Sequence, residues 1–414
     1  MSFKDEVCLD FEATDDKRFE DYHVVKMADG TRLLRFAVLY GANASGKSNL
    51  VKALQFIFNY WNNTEANPQV GTIPFLFDKQ TPNEATEFEI AFYVDNNRYV
   101  YLLKIHGNTT KYEELILDTE KPISIVKREQ TTHSEVRFNP DILSEEISKT
   151  YERNCLPQMS FFAARNKVNL PAIPHFDAVR QWITQTYLPP ITHDTNLNDY
   201  WQKRLNENNN DQLKNYILNF IQKADFNISN IDCNIEYQQL HPFYRQSISQ
   251  DNTLSEQEKK HLLAQKLPVI KTVFRHNIES EAVNDFNLPI QLQSDGTLRT
   301  IALATVIHDI TARNAFVSID EIEASLHPEL VQFIINKFIE SETTHNQMLI
   351  TTHYTDLLDT IDDMLRRDNI WFVEKQKNGC SDLYSLVEFK DTDDMEHINP
   401  AYKYGCFGAI PHLR

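Results

Sequence analysis

Residues 41–48 read Gly-Ala-Asn-Ala-Ser-Gly-Lys-Ser, a complete G-x-x-x-x-G-K-[ST] phosphate-binding loop. In such a loop the glycines let backbone N–H groups surround an anion, and the following helix adds the positive end of its dipole. Lys47 would neutralise the β- and γ-phosphates of a nucleotide, and the Ser48 hydroxyl would hold Mg²⁺. The sequence therefore predicts that ATP is bound by Gly41, Asn43, Ala44, Ser45, Gly46, Lys47, Ser48 and Asn49, with Mg²⁺ at Ser48.

The residues on either side of this loop have the periodicity that the motif requires. An apolar run over residues 33–39 precedes the loop and is typical of a strand, and apolar residues recur at helical spacing from Leu50 to Trp61. Strand, glycine loop and helix in this order distinguish the motif from an ordinary glycine turn before a helix. The chain has only 9 glycines in 414 residues, so two at the required spacing are not expected by chance.

A second candidate site is an apolar strand that ends in two acids, Asp320 and Glu321. Asp320 would hold Mg²⁺ directly or through water, and Glu321 would orient and deprotonate the attacking water. A pair of acids at a strand end is by itself also typical of a turn. The helical pattern that follows begins at Pro328, which suits a first helical turn because no N–H is needed there.

Two weaker segments complete the set. Ser294, Gly296 and Thr297 resemble the signature motif of ABC-type ATPases, which contacts the γ-phosphate of an ATP held by another subunit. The alternative is a Ser-Asp-Gly turn that caps a helix. His353, at the end of the next apolar strand, resembles the switch histidine that contacts the γ-phosphate, although a lone histidine is more often structural. The four segments occur in the correct order and together predict one ABC-type nucleotide site.

As a set, these motifs resemble the OLD-like ABC-type AAA ATPases of bacteria. The resemblance rests on Gly41–Ser48, Ser294–Thr297, Ile319–Glu323 with Leu326-His327-Pro328, and Thr351–His353, and it extends to the opening Ser2–Val7 and the closing Tyr404–Pro411. That group includes RloA-like proteins and the ATPase subunit of the PARIS anti-phage system. Larger members carry a C-terminal Toprim nuclease domain, for which the 414 − 353 = 61 residues after His353 are too few, so we expect none in this chain. Members usually begin with an additional strand, so we also expect this chain to lack a short segment at its start.

The resemblance implies an α/β fold, namely an ABC-type P-loop ATPase head with an antiparallel N-terminal β lobe, a mixed sheet with flanking helices, and a mainly helical insert. The expected domains are an N-terminal lobe with the P-loop (1–169), a helical insert or lid (170–270), a C-terminal lobe with the signature, the acid pair and the histidine (271–390), and a tail (391–414). Several runs of alternating apolar and polar residues over 85–128 independently predict an antiparallel meander. The middle of the chain has a helical pattern with a capping box at Ser255–Glu258 and no sustained heptad repeat.

Composition restricts the classes of function. No apolar run is long enough to cross a bilayer, and the N-terminus is polar and acidic, so we expect neither a membrane span nor a signal peptide. Five scattered cysteines without a C-x-x-C pair indicate reduced thiols in a cytoplasmic protein. The net charge of −18 disfavours tight DNA binding but leaves open a local basic groove between subunits.

Two further segments do not add to the predicted site. We interpret Asp391, Asp393, Asp394 and Glu396 as a solvated acidic turn rather than a metal site. An ABC-type Q-loop glutamine is expected at the end of a strand, and neither Gln69 nor Gln80 lies at a clear strand end.

The predicted function is a cytoplasmic ATPase that forms a homodimer or a higher homo-oligomer through its heads. Because no second catalytic site is visible, the resemblance leads to the hypothesis that it controls a separate protein effector, a nuclease or toxin, in phage defence, and responds to a phage trigger protein. Two alternatives stay open: a RecF-like DNA-maintenance ATPase that clamps DNA directly, and a module that holds ATP structurally without turning it over.

Overall fold

The computed structural model describes residues 2–63, 72–130, 134–207, 210–224, 226–251, 253–277, 285–341, 345–390, 392, 395 and 397–411. The chain divides into two compact units. The first unit comprises Met1–Asp194, Ile310–Ala324 and Asn336–Arg414, and the second unit comprises Thr195–Asp309 and Ser325–Ile335. The domain limits expected from the sequence stay a prediction. Gln69 and the acids Asp391, Asp393, Asp394 and Glu396 lie outside the described residues.

Both units contain strands and helices. The strands are β1 (Val24–Lys26), β2 (Arg32–Leu34), β3 (Phe36–Tyr40), β4 (Thr86–Val94), β5 (Asn97–His106), β6 (Thr109–Leu117), β7 (Ile123–Gln130), β8 (Ser134–Phe138), β9 (Ile228–Gln239), β10 (Lys266–Asn277), β11 (Asp285–Pro289), β12 (Phe316–Ile319), β13 (Gln347–Thr351), β14 (Ile370–Lys375) and β15 (Ser381–Ser385). The helices are α1 (Glu20–His23), α2 (Lys47–Asn62), α3 (Glu145–Glu152), α4 (Phe161–Ala164), α5 (Phe176–Thr186), α6 (Leu197–Asn206), α7 (Asp211–Lys223), α8 (Pro242–Gln250), α9 (Glu256–Ala264), α10 (Asp295–Arg313), α11 (Pro328–Ile339) and α12 (Ile398–Lys403).

The central sheet of the first unit has the strand order β12-β13-β3-β14-β15. The first four strands are parallel to one another, and β15 is antiparallel to β14, so the predicted mixed sheet is confirmed. All five residues of β3 are buried because this strand lies in the middle of the sheet and is covered on both faces. A strand of this kind reads as a continuous apolar run in the sequence rather than as an alternating one.

The second sheet of the first unit is the antiparallel meander β4-β5-β6-β7-β8, as predicted from residues 85–128. β4 and β5 are joined at Asp95-Asn96, where φ is +50° and +62°, as the two positions of a type I′ hairpin turn require. Trp61, in the last turn of α2, packs edge-on against Tyr101 of the meander and Phe162 of α4. This aromatic cluster joins α2 to the meander.

The second unit combines helices with a sheet that the sequence did not predict. Its sheet has the order β11-β10-β9, and the two longest strands, β9 and β10, pair over most of their length. The helices of the predicted insert are present, and Ser255 forms the predicted capping box at the start of α9. The sequence analysis missed β9 although its residues 231–238 alternate apolar and polar side chains, which is the pattern of a strand.

Over the described ranges, no helix is both long enough and apolar enough to cross a membrane.

Candidate nucleotide-binding site

The phosphate-binding loop connects the buried strand β3 to the first turn of α2. Gly41 has φ +154°, and a Cβ atom there would lie 2.3 Å from the carbonyl oxygen of Val373. Gly46 has φ +124° and would place a Cβ atom 3.0 Å from side-chain atoms of Ser2 and Ser381. Both positions therefore need glycine for backbone conformation and for space. Ala44 also adopts a positive φ of +61°, a strained conformation of the kind that is concentrated at ligand-binding loops.

The Lys47 side chain lies inside the curve of this loop. Its Nζ donates hydrogen bonds to the carbonyl oxygens of Gly41 at 2.8 Å and Ala42 at 3.3 Å, and lies 3.2 Å from Nε2 of His353. Only 5% of Lys47 is exposed. Burial lowers the pKa of Lys47 to about 8, although Asp320, Glu323 and Glu321 counteract this effect. The structure thus brings together the lysine of the loop and the histidine predicted as a γ-phosphate contact.

The contact with Lys47 also defines the protonation state of His353. A charged Lys47 ammonium donates to Nε2 only when that nitrogen carries a lone pair, so the imidazole is neutral with its proton on Nδ1. Burial lowers the pKa of His353, and the positive charge of Lys47 lowers it further. At neutral pH, His353 is therefore a neutral hydrogen-bonding group rather than a cation.

Asp320 and Glu321 follow β12 at the carboxyl end of the central sheet and are connected to β13 through Thr351. The Thr351 hydroxyl donates a hydrogen bond to Asp320 Oδ1 at 2.6 Å and accepts one from the Glu321 N–H at 2.9 Å. Asp320 is 8% exposed, whereas the Glu321 side chain is exposed. Glu321 has φ +48°, a conformation that costs a non-glycine residue about 1–3 kcal/mol. The adjacent acids thus occupy different environments: one is buried and oriented, and the other is accessible.

Glu323 is a residue of this site to which the sequence analysis gave no role. Its carboxylate accepts hydrogen bonds from the Thr352 hydroxyl at 2.8 Å and from the His353 N–H at 2.6 Å. Glu323 therefore fixes the backbone at the end of β13, from which the His353 side chain reaches Lys47. In the sequence, the one indication of this role is the position of Glu323 two residues after Glu321, at the end of the segment Ile319–Glu323.

The signature residues lie in the second unit, at the start of α10. The Ser294 Oγ accepts a hydrogen bond from the Thr297 N–H at 3.1 Å, so Ser294 is the N-cap of this helix, as the simpler interpretation predicted. Ser294 remains exposed, while Thr297 is buried. A Cβ atom on Gly296 would lie 2.8 Å from the carbonyl oxygen of Ser325, so only glycine fits there without a shift of the backbone.

The residues around Lys47 fit a polyphosphate and Mg²⁺ chemically. Among the described residues the buried Ser45 hydroxyl has no hydrogen-bond partner, and the loop combines the N-terminus of α2 with a lysine ammonium. Ser48, half-buried in the first turn of α2, and Asp320 supply the hydroxyl and carboxylate oxygens that Mg²⁺ prefers. Asn43 is exposed, and Asn49 donates a side-chain hydrogen bond to the Ser2 hydroxyl. The structure thus groups Lys47, Asp320, Glu321 and His353 in the first unit and places Ser294, Gly296 and Thr297 in the second.

Comparison with known proteins gives one family match. A model of the family described as "AAA domain, putative AbiEii toxin, Type IV TA system" matches residues 36–359. This range includes the phosphate-binding loop, the candidate signature, the acid pair and His353. Among curated proteins, no match to this chain is found.

Several solved structures are distantly similar to this chain. They include an SmcHead bound to the C-winged helix domain of ScpA (16% identity, TM-score 0.40, covering 88% of this chain and 94% of that one) and the SMC head domain from Thermotoga maritima (15%, 0.34, 88% and 97%). A third is an Smc head domain with an extended coiled coil, bound to the C-terminal domain of ScpA, from Pyrococcus furiosus (13%, 0.39, 88% and 96%). At these identities and TM-scores the likeness does not say what this chain binds or does.

Proposed function

Because this chain belongs to the AAA-domain family whose model matches residues 36–359, we propose that it is an ATP-binding and ATP-hydrolysing switch protein. The observation that carries this proposal is the convergence of Lys47, Asp320, Glu321 and His353 at the carboxyl ends of the parallel strands of the central sheet. Ligands of α/β proteins bind at that end of the sheet. The acid pair favours turnover of ATP over a purely structural nucleotide.

In the proposed mechanism, each residue of the first unit has one task. Lys47 leaves the carbonyl oxygens of Gly41 and Ala42 and contacts the phosphates, and Ser48 and Asp320 hold Mg²⁺. The metal ion would neutralise charge on the transferred phosphoryl group. Glu321, exposed beside its buried neighbour, orients the attacking water and takes its proton. Once Lys47 has moved to the phosphates, the neutral imidazole of His353, whose backbone is held by Glu323, is available to donate a hydrogen bond to a γ-phosphate oxygen.

The signature residues would complete the site of a second copy of the chain. Ser294 is exposed at the N-terminus of the 19-residue helix α10, where the helix dipole favours an anion. Two copies would then enclose two ATP molecules, and hydrolysis would remove the ligand that joins them. ATP acts in this scheme as a switch of assembly.

The output of the switch is proposed to be a separate effector, a nuclease or toxin, in phage defence. The chain offers no second catalytic set in its described residues, and the description of its family names a toxin and a type IV toxin–antitoxin system. Both points, with the resemblance to OLD-like and PARIS-type ATPases, favour control of a toxic partner. A phage trigger protein would release that partner.

The test compares the wild type with Lys47→Ala and Glu321→Gln in an ATP-binding assay, a phosphate-release assay and a phage-plating assay in the native host. We expect Lys47→Ala to lose ATP binding and protection, and Glu321→Gln to bind ATP while turnover falls by about 10²-fold or more. Asp363→Asn, an exposed acid outside the site, is the control. Equal protection by Lys47→Ala and wild type would contradict the defence switch.

The alternative function, a clamp on DNA, would give a different experimental result. DNA would then stimulate phosphate release, and this stimulation would fall steeply with salt because phosphate contacts release counterions. The net charge of −18 disfavours this outcome.

A further inference from the structure

Phe77 is an aromatic side chain at the surface of the first unit. It is 72% exposed, although phenylalanine is among the residue types that are most often buried. The next residue towards the N-terminus, Leu76, is exposed as well, whereas Phe75 is buried and packs edge-on against the ring of Phe77. The segment is thus anchored in the protein on one side and presents an apolar, aromatic surface to solvent on the other.

The Phe77 ring lies on the turn that joins β14 to β15. A Cβ atom on Gly379, which has φ +82°, would lie 2.8 Å from the ring, so the ring contacts the backbone of this turn directly. The ammonium of Lys375 lies 5.8 Å from the ring centroid, within the range of a cation–π contact. The ring is therefore supported by the hairpin, and a positive charge lies beside it.

The backbone that follows Phe77 is fixed by Asp78. The Asp78 carboxylate accepts hydrogen bonds from the N–H groups of Gln80 at 2.6 Å and Thr81 at 3.2 Å. It also forms an ion pair with Lys4 at 2.9 Å. A side chain such as asparagine or aspartate that bonds the backbone two residues on stabilises a turn. The position of the exposed ring is thus defined by contacts on both sides of it.

The hairpin under this ring also contacts the phosphate-binding loop. The hydroxyl of Ser381 donates a hydrogen bond to the carbonyl oxygen of Ser45. A Cβ atom on Gly46 would lie 3.0 Å from side-chain atoms of Ser2 and Ser381. Ser381 is two positions from Gly379, so one short hairpin holds both the loop and the aromatic ring.

The functions proposed for Lys47, Asp320, Glu321 and His353 concern the phosphates, the metal ion and the attacking water. They leave open where the nucleoside base is bound. His353 lies at the γ-phosphate end of the proposed site, and the base and the γ-phosphate are opposite ends of ATP. The base must therefore extend away from His353, and the hairpin beside Gly46 offers it an exposed aromatic surface.

We propose that the Phe77 ring is the surface on which the purine base of the bound nucleotide stacks. This inference rests on the proposed nucleotide-binding function. Stacking on an aromatic side chain is favourable for every base because every base has a π-face. The positive charge of Lys375 beside the ring also favours a polyphosphate anion over a neutral ligand. Phe77 thus contributes affinity for the nucleoside, whereas the loop binds the phosphates.

The experiment compares a non-hydrolysable ATP analogue with inorganic tripolyphosphate, which has the phosphates and no base. Calorimetry with Mg²⁺ measures both affinities for the full chain. We expect Phe77→Ala to lose about fivefold or more of its affinity for the analogue and to bind tripolyphosphate as the wild type does. A GTP analogue is expected to lose affinity as well, and Phe77→Trp is expected to retain it. Phe243→Ala, a change at a ring that is 65% exposed in the second unit, is the control and should alter neither affinity.

The position of the base is read from the fluorescence of Phe77→Trp. The ATP analogue is expected to quench the emission that this variant adds to that of the four natural tryptophans, whereas tripolyphosphate is not. An unchanged affinity of Phe77→Ala for the analogue, or a lack of this quenching, would overturn the proposal. An equal loss of affinity for tripolyphosphate would overturn it too, because Phe77 would then support the loop rather than the base.

The wild type alone separates this proposal from the proposed function. If it binds tripolyphosphate as tightly as the ATP analogue, the base adds no affinity, so the stacking surface is refuted and the phosphate site stands. If it binds neither ligand, the nucleotide-binding function itself is refuted, and the base site with it.

Discussion

At the scale of single residues, Lys47 is held by the molecule itself. Its ammonium is buried against the carbonyl oxygens of Gly41 and Ala42 and beside His353. A nucleotide must replace these contacts with phosphate oxygens, which interact more strongly with a charged donor. Lys47 is therefore positioned before the ligand arrives, although its charge is costly in that position.

This cost predicts a pH dependence of ATP binding. Burial lowers the pKa of Lys47 to about 8 in the free protein, and phosphate groups would raise it again on binding. Below pH 8 the lysine is already charged, so affinity does not depend on its titration. Above pH 8 binding must take up a proton, and affinity is expected to fall by up to about tenfold per pH unit. Calorimetry with a non-hydrolysable ATP analogue in buffers of different ionisation enthalpy measures both effects.

The control for this prediction is Lys47→Arg. A guanidinium group stays charged across this range, since its pKa lies above about 12. If Lys47→Arg binds the analogue, its profile should be flat. A parallel loss of affinity in both proteins above pH 8 would assign the pH dependence to another group.

At the scale of elements, α2 is fixed at both of its ends. Its first turn carries Lys47, and near its last turn the Tyr60 hydroxyl lies 2.7 Å from the Thr110 hydroxyl and 3.4 Å from Glu113. Glu113 is completely buried and also accepts hydrogen bonds from the Tyr101 and Ser160 hydroxyls. Burial raises the pKa of Glu113, and the neighbouring Arg128 opposes this shift. The meander thus provides a polar anchor for the helix that begins at the nucleotide.

We expect that replacing Arg128, the buried cation of this anchor, causes a large loss of stability. Arg128 donates to the carbonyl oxygens of Met159 at 2.5 Å and Leu156 at 2.7 Å, and lies 3.5 Å from Glu113. Arg128→Met would leave these oxygens without their donor and the buried Glu113 carboxylate without its cation, which costs about 3–5 kcal/mol of the free energy of unfolding. Urea denaturation of the variant measures this loss.

The matched control for the anchor is Arg137→Met on β8. The Arg137 side chain is 78% exposed, so its loss is expected to change the free energy of unfolding by no more than about 0.5 kcal/mol. Comparable losses in the two variants would show that burial of Arg128 has no special role.

At the scale of the whole molecule, the net charge of −18 opposes association of two copies. Any dimer that forms around ATP must overcome this repulsion, which salt screens over about 10 Å at moderate ionic strength. We therefore expect dimers of Glu321→Gln in Mg·ATP to be more stable at higher salt, the opposite of a DNA clamp. Analytical ultracentrifugation at two salt concentrations measures this.

The same experiment tests the place of the signature in the dimer. Ser294→Asp, added to Glu321→Gln, keeps a good N-cap for α10 but places a negative charge where a γ-phosphate is proposed to lie. We expect this variant to bind ATP and to sediment as a monomer. Ser255→Asp, which makes the same change at the N-cap of α9, should leave the dimer intact. Dimers of equal stability in both variants would argue against a signature contact with ATP.

The nature of the site and most of the fold could be predicted from the order of residues alone. The glycines and Lys47 of the loop, the strand before it and the helix after it are local in the chain, so their types and spacing encode their conformation directly. The meander is likewise visible in the alternation of residues 85–128, and the predicted α/β head with a mixed sheet is confirmed. The functions of Glu321, His353 and Ser294 stay predictions, because they depend on a ligand and a second subunit.

Contacts between distant residues became known only from the folded chain. Lys47 and His353 are separated by 306 positions, and Ser2 and Ser381 by more, so no periodicity or spacing relates them. The same holds for the hydrogen bond from the His353 N–H to the Glu323 carboxylate, which joins residues 30 positions apart. Local patterns record backbone preference and burial, whereas these contacts arise from how strands order themselves within one sheet. The sheet of the second unit was not predicted, although residues 231–238 of β9 alternate apolar and polar side chains as a strand does.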